Sequence, residues 1–323
     1  MKKATKILAL LLIIGIGISS CSKDKIQKTQ NARQSTLNDF YKLTQAPLQS
    51  FTINAAQFQT VVGAKGTTIY LPPSAFKTKT GAIVSSGNVI VKLQEMLKGA
   101  DMILSNKTTT SDGKLLKSGG QIYIKAYKDG EELVMNKSVF TNVYIPSATN
   151  TPMDLFYGTV TPSDSISGDT TINWTPVDTS RNVVNTTITD TTAGHYTYAF
   201  TFKLDSLTYI NCDYFYNSPN PLTNIFVTTP SAFVDSNTNV FIYFPSINSV
   251  TRMHTFNFAT NTFSLSNGYF VPEGLSIKIV VIAKIEDQYY YEIKPTTVVT
   301  NLTVTSNPVA ATLAEIQTAI QGL

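Results

Sequence analysis

The chain has 323 residues, 42% of them hydrophobic and 14% charged, enough for two ordinary domains with sizeable cores. Three lysines and no acid lie before Cys21, which brings the 25 basic and 21 acidic residues within one of balance beyond that point. Near-neutrality, with no basic stripe carrying interleaved aromatics, excludes a nucleic-acid partner.

The first twenty residues read as an export signal: Lys2, Lys3 and Lys6, an apolar run from Ile7 to Ile18, then Ser19 and Ser20. That run is about a dozen residues, short of the ~20 that a spanning helix needs, so removal is expected. Ile18-Ser19-Ser20-Cys21 resembles the bacterial lipobox, which implies that Cys21 is lipidated and becomes the first mature residue. Acyl chains contribute ~0.8 kcal/mol per buried methylene, so two or more, palmitate among them, anchor a protein durably. The membrane, reached through lipid on Cys21, is the first expected partner. Residues 21–46 are polar and lack apolar alternation until Phe40, Tyr41 and Leu43, which suggests a flexible tether with at most a short helical turn. As a coil of roughly 25 residues it would span on the order of 25–30 Å.

Strand patterning begins at Phe51. Val89, Val91 and Leu93 alternate with Ile90, Lys92 and Gln94, and Ile122, Ile124 and Ala126 with Tyr123, Lys125 and Tyr127. Asp129-Gly130 between two such runs predicts a hairpin, because both residues tolerate the positive φ of tight turns. Val143 and Ile145 close this body near Pro146. The runs GTTIYLPPSAF, TGAIVSSGNVIVKLQEM and LLKSGGQIYIKAY, within Phe51 to Pro146, resemble ZU5-like β-sandwich segments, as found in cell-envelope lipoproteins of Bacteroidota. The likeness implies a non-enzymatic module over residues 47–157. The His-Phe-Ser site at which some ZU5-containing proteins cleave themselves is absent, and His254 sits instead in MHTFNF. Only Asp24 follows Cys21 in CSKDK, a poor match to the acidic signal of surface-displayed Bacteroidota lipoproteins. The outer membrane is the expected location, with either orientation open.

Residues 158–194 are rich in Thr, Ser, Asp and Asn and poor in apolar anchors, Trp174 and Val183-Val184 excepted. Such composition predicts an insertion or interdomain loop. Asp164, Asp169, Asp178 and Asp190 lack the spacing and glycine of a calcium loop. Asp164-Ser165-Ile166, Asp169-Thr170-Thr171 and Asp190-Thr191-Thr192 resemble the triplet recognised by the general O-glycosylation system of Bacteroidota, which implies Ser165, Thr170 and Thr191 as acceptors. A stretch so rich in Thr also produces such triplets by chance.

Residues 195–323 read as a second β domain. Tyr196, Tyr198, Phe200 and Phe202 share one strand face, and aromatic rows of this kind are more often core than a sugar-stacking platform. SLTYINCDYF resembles a Leu-x-Trp-Ile-Asn-Cys-Asp-x-Phe signature of the same lipoproteins, with Tyr209 in place of tryptophan. Cys212 could serve as a nucleophile with His195 or His254, or as a small buried apolar group; nothing supplies a positioned third residue. No intrachain disulfide forms once Cys21 is acylated. TLAEIQTAIQGL predicts a short C-terminal helix, with Thr312 and Glu315 at capping-box spacing and Leu313, Ile316 and Ile320 on one face.

The expected fold is therefore all-β: two β-sandwich-like domains after a lipidated tether, closed by a short helix. There is no His-Glu-x-x-His, Walker loop, dinucleotide fingerprint or nucleophile elbow, and no cofactor or metal is implied. The leading functional reading is a non-catalytic envelope lipoprotein that binds or scaffolds another envelope protein. A glycan partner is the alternative, requiring solvent-facing aromatics among Tyr289, Tyr290, Tyr291, Tyr214 and Tyr216. A two-carboxylate hydrolase is the third, since that chemistry leaves no local signature.

Overall fold

The computed structural model describes residues 37–162, 170–180, 182–190 and 197–323. The protein is all-β, and its strands form two sandwiches. The organising strand of the first is Lys114–Lys128. On one flank it pairs with Asn88–Met96, Leu93 opposite Ile124, and that strand pairs in turn with Gln49–Asn54. On the other flank come Tyr209–Phe215, Asp154–Pro162 and Thr170–Pro176 in that order. A shorter sheet faces this long one, ordered Asn185–Asp190, Thr197–Lys203, Asn142–Ser147, Thr68–Leu71 and Gln59–Val62. The inward residues of the predicted alternations, Val89, Val91, Leu93, Ile122 and Ile124, pack with Ile69, Val143, Ile145, Phe200 and Phe202. Each such burial contributes about 1.5–3 kcal/mol against the cost of ordering the chain. Asp129 and Gly130 both adopt positive φ in the hairpin between Lys128 and Glu131.

Two expectations about the first sandwich are corrected. The segment read as a loop supplies the end of the strand Asp154–Pro162 and the whole of two more, Thr170–Pro176 and Asn185–Asp190. An edge strand has to bury only alternate residues, and Ile172 and Trp174 suffice, Trp174 being fully buried with its indole N–H donating to the Thr108 carbonyl at 2.7 Å. The threonines that made the segment look unstructured are β-branched and suit the exposed half of a strand. The boundary expected at residue 195 also moves. Thr197–Lys203 pairs with Asn142–Ser147, and Tyr209–Phe215 pairs with Lys114–Lys128, so both strands complete the first sandwich.

The second sandwich packs a sheet ordered Ser249–Met253, Thr238–Phe244, Ser276–Ile285, Gln288–Thr297 and Val309–Ala311 against a smaller one built from Thr255–Asn257, Thr262–Ser264, Ile225–Thr228 and Leu302–Thr305. Every residue of Thr238–Phe244 is buried, because the outer face of its sheet is also covered. Val240, Ile242 and Phe244 enter the inter-sheet core, while Phe241 and Tyr243 face three helical segments: 37–44, Gly99–Leu104 and Leu313–Gln321.

The last of these is the expected helix. Thr312 accepts from the Glu315 amide at 3.2 Å, Glu315 accepts from the Thr312 amide at 2.7 Å, and Ile316 and Ile320 are buried. The first corrects the end of the tether reading, since residues 37–46 are packed, while 21–36 lie outside the described residues. Leu37, Phe40, Tyr41 and Thr44 are buried at the i, i+3, i+4, i+7 spacing of a helix face. The two sandwiches meet through polar contacts at Asn248, whose side-chain amide donates to the carbonyls of Leu97 and Ser118 at 3.0 and 3.2 Å.

Candidate functional site

The outward face of the short sheet of the first sandwich carries aromatic side chains that its core does not use. Ile69 and Leu71 point inward, which leaves Tyr70 outward, and Val143 and Ile145 likewise leave Asn142 and Tyr144 outward. Asn142 lies opposite Tyr70 in the ladder. The rings of Phe58 and Tyr70 are 6.2 Å apart at 33°, and Tyr70 meets Tyr144 edge-on at 5.3 Å. Beside Tyr144 opens a groove of about 340 Å³ lined by Phe140, Asn142, Val183, Asn185, Thr201 and Lys203 among others. Phe140 is 64% exposed and Phe58 59%, unusual exposure for large apolar rings. The Lys203 ammonium stands 6.0 Å from the Phe140 ring centre. Asn182 holds the groove wall by donating to the Lys203 carbonyl at 2.6 Å and accepting from the Lys203 amide at 3.2 Å. Flat apolar rings flanked by amide and hydroxyl groups suit a ligand with apolar faces and a polar edge.

The tyrosines that the glycan alternative required to face solvent are instead half-buried packing residues. Tyr289 lies against Phe40 at 5.6 Å and Tyr290 against Phe233 at 5.4 Å, while Tyr291 packs beneath the helical layer. Tyr214 packs on the first core and Tyr216 on the second. The sequence signal for the actual row was period two: Tyr70 and Tyr144 stand at the outward positions of strands whose inward residues are aliphatic.

A second concavity, about 610 Å³, lies near the other end of the 137–140 connection and is lined by Lys77, Lys79, Lys125, Lys137, Glu132 and Asp205 among others. Glu132 accepts from Lys125 and, at 2.6 Å, from Lys79, and these bonds hold its carboxyl below the ordinary range. Asp205 accepts from the Tyr157 hydroxyl. Two carboxylates thus share one cleft, and Glu132, held low by its two lysines, lacks the raised pKa of a general acid.

Cys212 lies on the core face of Tyr209–Phe215, opposite Leu155, with no exposed surface; burial, then the neighbouring Asp213, pushes its thiol pKa well up. His254 is exposed in the second sandwich, and His195 lies outside the described residues. The flanking Asn211 and Asp213 face the opposite side of the strand and are also fully buried. Burial raises the Asp213 carboxyl well above its usual range, outweighing the opposing effect of the polar groups of Ser118 and Gly119 beside it. The register shifts here between Asn211 and Asp213, opposite Gly119-Gly120. A Cβ on Gly119 would stand 2.4 Å from the Phe200 ring, so only glycine fits the bulge.

Cys21, Ser165 and Thr191 lie outside the described residues; Thr170 opens the strand Thr170–Pro176 opposite Pro162. Among the described residues no helix is long and apolar enough to cross a membrane, and no group of three His, Cys, Asp or Glu could hold a metal ion. No protein-family description matches the chain, and no curated protein matches it either.

Proposed function

We propose that this chain is a non-catalytic lipoprotein of the Bacteroidota cell envelope, anchored through Cys21, whose first sandwich acts as a binding module. The observation that carries the binding role is the outward row Phe58, Tyr70 and Tyr144, whose tyrosines are half-buried, with Phe140 beside it; of these rings Phe58 and Phe140 are exposed. The solvated rings of Phe58 and Phe140 cost free energy unless a ligand covers them. The lipobox resemblance supports the anchor, and the outer membrane is the site we assign. Pull-down from native membranes with the wild type and with Phe140→Ser/Tyr144→Ala tests the binding module. A partner captured by the wild type and lost with the variant supports it, and identical captures overturn it. Cys21→Ala should release the protein from membranes; unchanged partitioning would refute the lipid anchor.

The composition of the groove favours a glycan as the ligand over a protein. Asn142, Asn185 and Thr201 supply short donors and acceptors next to the rings of Phe140 and Tyr144, the combination by which sugar hydroxyls and sugar faces are both met. A glycan-array signal abolished by Phe140→Ser supports this reading, and a blank array alongside a captured protein partner sinks it.

A further inference from the structure

The lysine cleft carries charge that the protein itself does not neutralise. Four lysines, Lys77, Lys79, Lys125 and Lys137, line it together with Glu132 and Asp205. Glu132 is shared by Lys79 and Lys125, and among the described residues neither Lys77 nor Lys137 is paired with a carboxylate. The Lys125 side chain is only 24% exposed and that of Glu132 27%, so solvent screens this centre less than an open surface. Gathering like charges in a cleft is unfavourable unless something of opposite sign enters.

The cleft also adjoins the aromatic groove. Lys137 lines the cleft, Phe140 and Lys203 line the groove, and the Lys203 ammonium donates to the Lys137 carbonyl at 3.1 Å. The connection 137–140 is therefore a shared rim, with rings on one side and cations on the other.

We infer that the lysine cleft binds the acidic groups, carboxylate or sulfate, of an anionic glycan whose sugar rings reach the aromatic groove across that rim. The inference rests on the glycan reading of the groove and extends it to ligand class. Lysine suits the task because its ammonium is a point charge that meets carboxylate or sulfate without a fixed bidentate geometry. A concave site of this volume lies in the range for small ligands and glycan segments, whereas a flat bilayer cannot follow its floor.

The test is affinity electrophoresis of the full chain in gels containing polygalacturonate, dextran sulfate or neutral dextran. Variants are Lys77→Glu/Lys137→Glu, Phe140→Ser/Tyr144→Ala and, as a charge-matched control in another part of the molecule, Lys42→Glu/Lys294→Glu. Retardation by an acidic polymer, weakened about tenfold or more by the cleft variant and kept by the control, supports the inference. Equal losses in cleft variant and control mean diffuse charge attraction and overturn it. Retardation by neutral dextran alone, lost with the aromatic variant, overturns the acidic class while leaving the glycan reading standing. No retardation in any gel overturns both. The lysines sit at the surface, and an unchanged melting temperature of the cleft variant certifies its fold.

Discussion

Asn211 donates its side-chain amide to Asp213 Oδ2 at 2.6 Å, and these two residues, on either side of Cys212 in one strand, are both wholly buried. The second oxygen, Asp213 Oδ1, has no hydrogen-bond partner among the described residues. An ionised carboxylate in that position is costly, so burial shifts the Asp213 carboxyl toward its neutral form.

A pH dependence follows from that pair. Asp213 has a folded pKa above the ~3.9 of an unfolded aspartate, so between the two values the native state binds more protons and stability falls as pH rises. The full contribution is present below about pH 4 and declines above it. Asp213→Asn, uncharged at every pH, should flatten this slope; urea melts of both proteins at pH 4 and 8 check it, and parallel slopes would refute it.

Trp174 tests the strand status of the Thr-rich segment. It is fully buried against Leu116, Phe156 and Ile172, and its indole donates to Thr108. Trp174→Ala should cost about 3–5 kcal/mol in chemical denaturation. A change near zero would mean that Thr170–Pro176 contributes nothing to the first sandwich.

Phe40 does the same for residues 37–44. Its ring is fully buried, edge-on to Tyr41 at 5.3 Å, and the Tyr41 hydroxyl accepts from the Asn239 amide at 2.7 Å. Phe40→Ala should cost about 3–5 kcal/mol and open the peptide bond after Lys42 to trypsin in the native protein. Resistance equal to the wild type would show that the helix is not held by this contact.

Cys212 should be chemically silent. With no exposed surface and a thiol pKa pushed up by burial, it presents no thiolate to reagent. A disulfide reagent at pH 8 should label it only at the rate of unfolding. Rapid stoichiometric labelling of the folded protein, measured on Cys21→Ala, would reopen its reading as a nucleophile.

Mass spectrometry of the protein from its native organism decides the glycan acceptors. Hexose-type additions are expected on Ser165, Thr170 or Thr191, and fully bare peptides would end that expectation.

Local pattern decided much of this fold. Val89, Val91 and Leu93 go inward because a strand has period two, Asp129-Gly130 turns because both residues accept positive φ, and Thr312 caps its helix because Glu315 stands three residues on. What the sequence left open was which strands pair. Thr197–Lys203 joins Asn142–Ser147 across some fifty residues, and nothing in either run specifies the other beyond a matching apolar face. Composition likewise hid Thr170–Pro176, whose burial rests on two residues, and helix 37–44, whose apolar face has meaning only against Phe241 and Tyr289. The candidate site belongs to this second kind. Phe58 and Tyr70 are far in sequence from Phe140 and Tyr144, as Lys77 is from Lys137, and only sheet pairing and the 137–140 turn set rings beside cations. Side-chain periodicity fixes which way a residue points from its own strand; which neighbours it then meets is fixed by non-local pairing, a property of the folded chain.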